Sequence, residues 1–244
     1  MAGYINEEFT VDLDNLPETC YNKVYCPIIK KIEDEIGVKD KFGGDVPFFI
    51  EGEIWPIHEE IPMAFFCQLK DPRKDNNILY RIFIAIDNDY ECENYHITKI
   101  ELNQENLEKQ IKITKPEFNN DNEFNQFNND NDNIKELTKF PAYEITGWNT
   151  KNELKDCDSI FEILNIDPKK YSYYYNELRE KFYDNNSYGI KVGGTPAFTQ
   201  YADKEMYEKY NFLQLTDTSI LPYCWGDSGI AHITEDCELY WDCC

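Results

Sequence analysis

Five residues near the C-terminus carry side chains that bind soft metals: Cys224, His232, Cys237, Cys243 and Cys244, all within 21 positions. A tetrahedral zinc site takes four such ligands. The intervening runs are 7, 4, 5 and 0 residues, with no Cys-x-x-Cys knuckle, and adjacent cysteines serve one site poorly. Cys224, His232, Cys237 and Cys243 are thus a candidate metal set. The plainer reading is a terminal thiol pair, Cys243-Cys244, open to oxidation. Cys20 and Cys26 have nothing beside them in sequence to activate a thiolate. Cys67, within Phe65-Phe66-Cys67-Gln68, reads as core.

Gly226-Asp227-Ser228-Gly229 raises nucleophilic catalysis. A serine nucleophile needs a histidine base and an orienting acid. Only His58, His96 and His232 exist, and Ser228 lacks a Gly-x-Ser-x-Gly elbow. A tight turn ahead of a strand at Ile230 is the simpler expectation. Glu51, Glu53, Glu59 and Glu60 flank Trp55 and His58. Asp227, Glu235 and Asp236 cluster late. Either group supports acid–base work if buried, but 47 acidic residues make chance proximity the expected case. No Gly-x-Gly-x-x-Gly and no Gly-Lys-Ser/Thr string is present.

The chain also states one pattern twice. Gly43-Gly44-Asp45-Val46-Pro47-Phe48-Phe49 is followed by Phe66-Cys67-Gln68-Leu69. Gly193-Gly194-Thr195-Pro196-Ala197-Phe198 is followed by Phe212-Leu213-Gln214-Leu215. Two such copies predict a fold built by duplication. The glycines give backbone freedom and the prolines fix the exit. Gln68 and Gln214 sit in apolar contexts, where an unpaired amide costs about 1–3 kcal/mol. One reading makes each a clamp on its glycine turn. The other places both at a shared pocket between the repeats, with Trp55, Trp225 and Asp227 as further candidates for a ligand or partner site.

The elements that would carry these residues can be outlined. Pro27 to Ile36 reads as a short helix, with Ile28, Ile32 and Ile36 on one face. Ala64–Leu69, Leu79–Ile86, His96–Leu102 and Gln110–Thr114 read as strands. Asp158 is expected to cap a short helix over Phe161 and Leu164. Tyr174, Leu178 and Phe182 share a helical face over Tyr171–Tyr183. Ile230–Ile233 and Leu239–Trp241 are the last strands. The Asn/Asp-rich run at 118–134 reads as a surface insertion. The expected division is an N-terminal segment with a short helix (1–39), a first repeat half (40–117), the insertion, and a helical connector with the second half (135–244), in one compact domain.

The net charge is −23, from 47 acidic and 24 basic residues. Such a surface repels phosphate backbones and anionic membranes and attracts basic protein partners; the plainer reading of the charge is solubility alone. No apolar run approaches a membrane span. Met1-Ala2-Gly3-Tyr4 begins no secretory signal, and nine cysteines, an odd number, fit reduced cytosolic thiols.

Trp55-Pro56, Phe65-Phe66-Cys67-Gln68-Leu69, Val192-Gly193-Gly194-Thr195-Pro196-Ala197-Phe198-Thr199-Gln200, Phe212-Leu213-Gln214-Leu215 and Trp225-Gly226-Asp227-Ser228-Gly229 together resemble the YwqG-like family, formerly a domain of unknown function (DUF1963). The likeness covers roughly residues 40–243. It implies a compact, β-rich, soluble, cytoplasmic α+β protein, with an immunity or regulatory role suggested by relatives near bacterial toxin genes. No established reaction comes with it. The expected fold is therefore α+β: internally duplicated antiparallel sheets with a few short helices packed on them. The expected function is non-catalytic binding of a basic protein partner through an acidic surface, by a cytoplasmic monomer without a cofactor and without nucleic-acid or membrane partners. The alternative is a small-molecule-binding or hydrolytic protein with its pocket at the repeat junction.

Overall fold

A computed structural model describes residues 11–33, 37, 39–85, 94–116, 140–186, 188–200, 202–216, 225 and 228–243. Asp227, Cys224, Cys92, Cys244 and the 118–134 insertion lie outside the described residues.

The two longest strands form the middle of the molecule. β1 (Tyr21–Lys31) and β10 (Tyr143–Leu154) pair antiparallel along their length, with a bulge at Ile28/Ile29. The helix expected from Pro27 is thus a strand through Lys31. Ile28 and Ile29 are β-branched and stiff, which suits a pleated strand paired against β10.

Four strands fan out on each side of this centre, giving two wings of five. One wing runs β10, β2 (Lys41–Phe42), β6 (Ala64–Lys70), β7 (Ile78–Ile84), β8 (Tyr95–Glu101). The other runs β1, β11 (Lys191–Gly193), β12 (Leu213–Thr216), β13 (Ile230–Ile233), β14 (Leu239–Asp242). The sheet is α+β in class, antiparallel throughout, and its second wing repeats the first. The repeats exchange their central strands: β2 pairs with β10 from the later half of the chain, and β11 pairs with β1 from the N-terminal segment.

Alternation splits each wing into two faces. Leu69, Tyr80, Ile82, Leu213, Leu215, Ala231 and Ile233 share one buried cluster, and the wings pack on each other through it. Tyr80 of one wing lies 4.5 Å from Phe212 of the other, and Phe66 lies 5.5 Å from Trp225. A polar latch closes the rim. Arg73 bonds Asp71 in its own wing, and reaches Glu235 at 2.8 Å and the Asn211 carbonyl at 3.2 Å in the other.

The opposite faces are covered separately. In the first wing, β3 (Phe49–Ile50) and β9 (Gln110–Ile111) form a small ribbon, and β4 (Ile57–His58) pairs with β5 (Ile61–Pro62) in a hairpin. α1 (Gln104–Glu108) follows β8. In the second wing, α2 (Cys157–Ile163) and α3 (Tyr171–Asn185) enclose a cluster around Phe161, Leu178 and Phe182. α4 (Lys204–Lys209) precedes β12. The cap of α2 is Asp156, whose carboxylate accepts from the Ser159 amide at 2.9 Å, and not the expected Asp158.

Candidate functional site

The repeated residues build the same device in both wings. Gly43, Gly44, Gly193 and Gly194 all have φ between +62° and +84°, the left-handed region that glycine enters freely. The Gly43 amide donates to the Phe66 carbonyl and the Gly193 amide to the Phe212 carbonyl, each at 2.8 Å. The chain then turns through proline and comes back over the sheet. Gln68 Oε1 accepts the Phe48 amide, and Gln214 Oε1 accepts the Ala197 amide, both at 2.8 Å. Each glutamine Nε2 donates to carbonyls before its glycine pair: Gly37 and Lys39 for Gln68, Gly189 for Gln214.

A buried lysine completes each device. Lys41 Nζ donates to the Val46 carbonyl and Lys191 Nζ to the Thr195 carbonyl, both at 2.6 Å. These contacts align Val46 with Thr195 and Pro47 with Pro196, so the first copy carries one extra residue after its glycines. Lys191 also meets Glu153 Oε2 at 2.6 Å, with both side chains excluded from solvent. Burial pulls the Lys191 ammonium below its usual range, and the Glu153 carboxylate resists. Glu153 Oε2 in addition accepts the Thr195 amide at 3.1 Å.

Beside each glutamine stands a buried base from the next strand: Arg81 opposite Gln68, His232 opposite Gln214. An aromatic ring from the returning loop covers each, with Phe49 at 4.5 Å from the Arg81 guanidinium and Phe198 at 4.4 Å from the His232 ring. The carboxylates differ. Arg81 bonds Glu53 at 2.6 Å. His232 Nε2 is 3.9 Å from Asp242 Oδ1, and neither atom, nor His232 Nδ1, has a hydrogen-bond partner in range. Burial and the Lys191 charge push the His232 pKa down to about 3, against a slight favourable pull from the Ala197 backbone. Asp242 uses its other oxygen to hold the Thr199 hydroxyl and the Thr199 and Gln200 amides.

The structure does not gather the sequence-selected residues at one place. Gln68 and Gln214 sit on the outer faces of different wings, whereas Trp225 belongs to the cluster between the wings. His232 faces outward beneath Phe198, while Cys237 packs against the inter-wing cluster. No group of three or more His, Cys, Asp or Glu among the described residues is close enough to hold a metal ion. Burial raises the Cys20, Cys67 and Cys157 thiols. Ser228, at φ +55°, occupies a turn in which Gly229 presses on the Trp225 backbone.

Trp55 stands apart. Its indole Nε1 donates to the Met63 carbonyl at 2.9 Å, and Phe49 and Phe83 pack on it. It floors an open cleft of about 420 Å³ that Ile57, His58, Met63, Tyr95 and His96 also line. Ile54 and Ile57 at this cleft are 80% and 56% exposed. Exposed Glu59 and Glu60 form the hairpin tip at φ +47° and +69°, a conformation that costs a non-glycine residue about 1–2 kcal/mol. Burial and the nearby Arg81 charge lower the His96 pKa. Sequence reasoning picked out Trp55, and His58 with its flanking glutamates, but not the two isoleucines or His96. Ile54-Trp55-Pro56-Ile57, an apolar run beside four glutamates, was the available signal.

The profile of a domain of unknown function (DUF1963) matches residues 40–235. The chain belongs to the DUF1963 family. No curated protein matches it. The family match spans both glycine turns, both clamping glutamines and the Trp55 cleft, but stops before Asp242 and does not include β1, the strand that completes the second wing. Among the described residues, no helix is long and apolar enough to cross a membrane.

Proposed function

We propose that this protein is a binding module that engages a basic protein partner, and that the partner docks at the Trp55 cleft. The observation that carries this reading is the pair of exposed isoleucines, Ile54 and Ile57, at a cleft whose floor is a fixed tryptophan, with exposed Glu51, Glu59 and Glu60 in the chain segments on either side of them. Apolar groups held out in water beside a concave surface are characteristic of recognition sites. A tryptophan anchored by its own hydrogen bond costs little entropy when a partner packs on it. The charge of −23 supplies long-range attraction for a basic partner. A cytoplasmic, regulatory or immunity-like task fits this chemistry. The alternative of a ligand pocket at the repeat junction has less support, because Gln68 and Gln214 are consumed by their own loops and face away from the junction.

A photo-crosslinking residue placed at Ile57, and separately at Tyr173 on the far helix α3, tests this in cells that make the protein. The expected result is one basic protein captured from position 57 and lost when Ile54 is changed to Glu. Capture from position 173 alone, or adducts at 57 that ignore Ile54→Glu, overturns the reading.

A further inference from the structure

We infer that the partner is held by strand addition: an extended basic segment pairs with the outer edge of β8 as an eleventh strand and drops an apolar side chain into the Trp55 cleft. This rests on the docking reading above and specifies its geometry.

The hydrogen-bond phase of β8 can be read from its two ends. The Leu102 amide donates to the Asn77 carbonyl at 2.6 Å, and the Ala85 amide donates to the Asn94 carbonyl at 2.8 Å. In an antiparallel ladder the bonded pairs recur at every second residue. The register joining Ile78 to Glu101 and Ile84 to Tyr95 has no bulge. So the even-numbered residues from Asn94 to Leu102 turn their amides and carbonyls toward β7. Tyr95, Ile97, Lys99 and Glu101 turn theirs outward.

Among the described residues no strand pairs with that outward row. Exposed edges are ordinarily blunted by bulges, prolines, short length or several charges. β8 is seven residues long, carries no proline and no bulge, and has two charged residues, Lys99 and Glu101, the latter at its end. The opposite edge, β14, is only four residues long.

Edge and cleft are continuous. Tyr95 and His96, at the start of β8, also line the cleft over Trp55. Alternate side chains of an added strand point to the face that carries Arg81, Phe83 and His96, and the leading one reaches the cleft. Charge selects the occupant. Two copies of a chain at −23 repel each other, so an edge-to-edge dimer is disfavoured, whereas a basic segment gains at every approach.

The test starts from a displayed library of random peptides about twelve residues long, enough to span β8, selected against the full chain at physiological salt. The expected winners are net basic with alternating apolar residues. Binding of the best peptide is then measured to the unmodified protein, to Lys99→Pro and to Ile57→Glu. Lys99→Pro removes an outward amide and leaves the β7 ladder intact, and it should weaken binding about tenfold or more. Methylating alternate amide nitrogens of the peptide should do the same without altering the protein. If Ile57→Glu weakens binding but Lys99→Pro and methylation do not, strand addition is wrong and cleft docking stands. If Ile57→Glu has no effect, cleft docking fails. No enrichment, helical winners, or a dimer abolished by Lys99→Pro each overturns the inference.

Discussion

Arg81 and His232 hold the same position in the two wings, each opposite a clamping glutamine and each beneath a phenylalanine, yet only Arg81 has its carboxylate in hand. Glu53 lies 2.6 Å from Arg81, while Asp242 stops 3.9 Å from His232. That gap is too long for a hydrogen bond.

The difference makes the second wing acid-sensitive. His232 is neutral in the fold down to a pKa of about 3, but takes a proton near its ordinary 6.5 once unfolded. The unfolded chain therefore binds more protons across that window, and stability rises with pH through it. The charged or polar groups facing the ring are Asp242, Lys191, Tyr210 and Tyr240. Lowering the pH from 6.5 to 5 should cost roughly 2 kcal/mol through His232. Urea melts at both pH values should show that loss, and His232→Gln should remove it. An unchanged slope in the variant would mean that His232 is not buried neutral.

The Lys191–Glu153 pair should behave as a buried ion pair. Lys191→Met leaves Glu153 charged and enclosed, at an expected cost of about 3–5 kcal/mol. Adding Glu153→Gln keeps an acceptor for the Thr195 amide and removes the enclosed charge, so the double variant should recover most of the loss. Chemical denaturation of the three proteins checks this. A double variant no more stable than Lys191→Met would contradict it.

The two glutamine clamps should act independently. Gln68→Leu and Gln214→Leu each strand a backbone amide and its partner carbonyls, for about 1–3 kcal/mol apiece. Because they lie in different wings, their costs should add to within about 0.5 kcal/mol. A double variant far from the sum would reveal coupling through the inter-wing cluster.

Space and backbone conformation can be separated at two glycines. A Cβ at Gly194, φ +76°, would lie 2.4 Å from Glu153 Oε2 and 2.8 Å from Val24. At Gly52, φ +93°, it would meet nothing within 4 Å. Gly194→Ala should cost about 3 kcal/mol or more, from overpacking plus backbone strain, and Gly52→Ala about 1 kcal/mol from strain alone. Thermal melts decide it, and equal losses would assign the glycine turn to backbone freedom alone.

Much of this architecture was legible in the sequence. The glycine pairs and Gln68 and Gln214 announced the duplication, because a left-handed turn needs glycine and a buried amide needs partners. Strands such as Ile78–Ile84 showed their alternation plainly. Lys41 and Lys191, each two residues before a glycine pair, were just as regular, but a lysine reads as surface until its carbonyl and carboxylate partners are known. The exchange of β1 and β10 had no local signal, since strand partners are fixed by contacts more than a hundred residues apart. Ile28 and Ile32 mimicked a helical face in a segment that tertiary pairing holds extended. The cleft was visible only as Trp55, because exposure of Ile54 and Ile57 is a property of the folded surface.

The most direct measurement is amide hydrogen exchange along β8, with and without the selected basic peptide. In the free protein, Ile97 and Lys99 should exchange quickly and Thr98 slowly, since Thr98 alone of the three faces β7. On binding, Ile97 and Lys99 should slow about a hundredfold or more, as amides closed into a ladder do. Binding that leaves Ile97 and Lys99 unprotected would contradict strand addition, and protection confined to another surface would contradict docking at the Trp55 cleft.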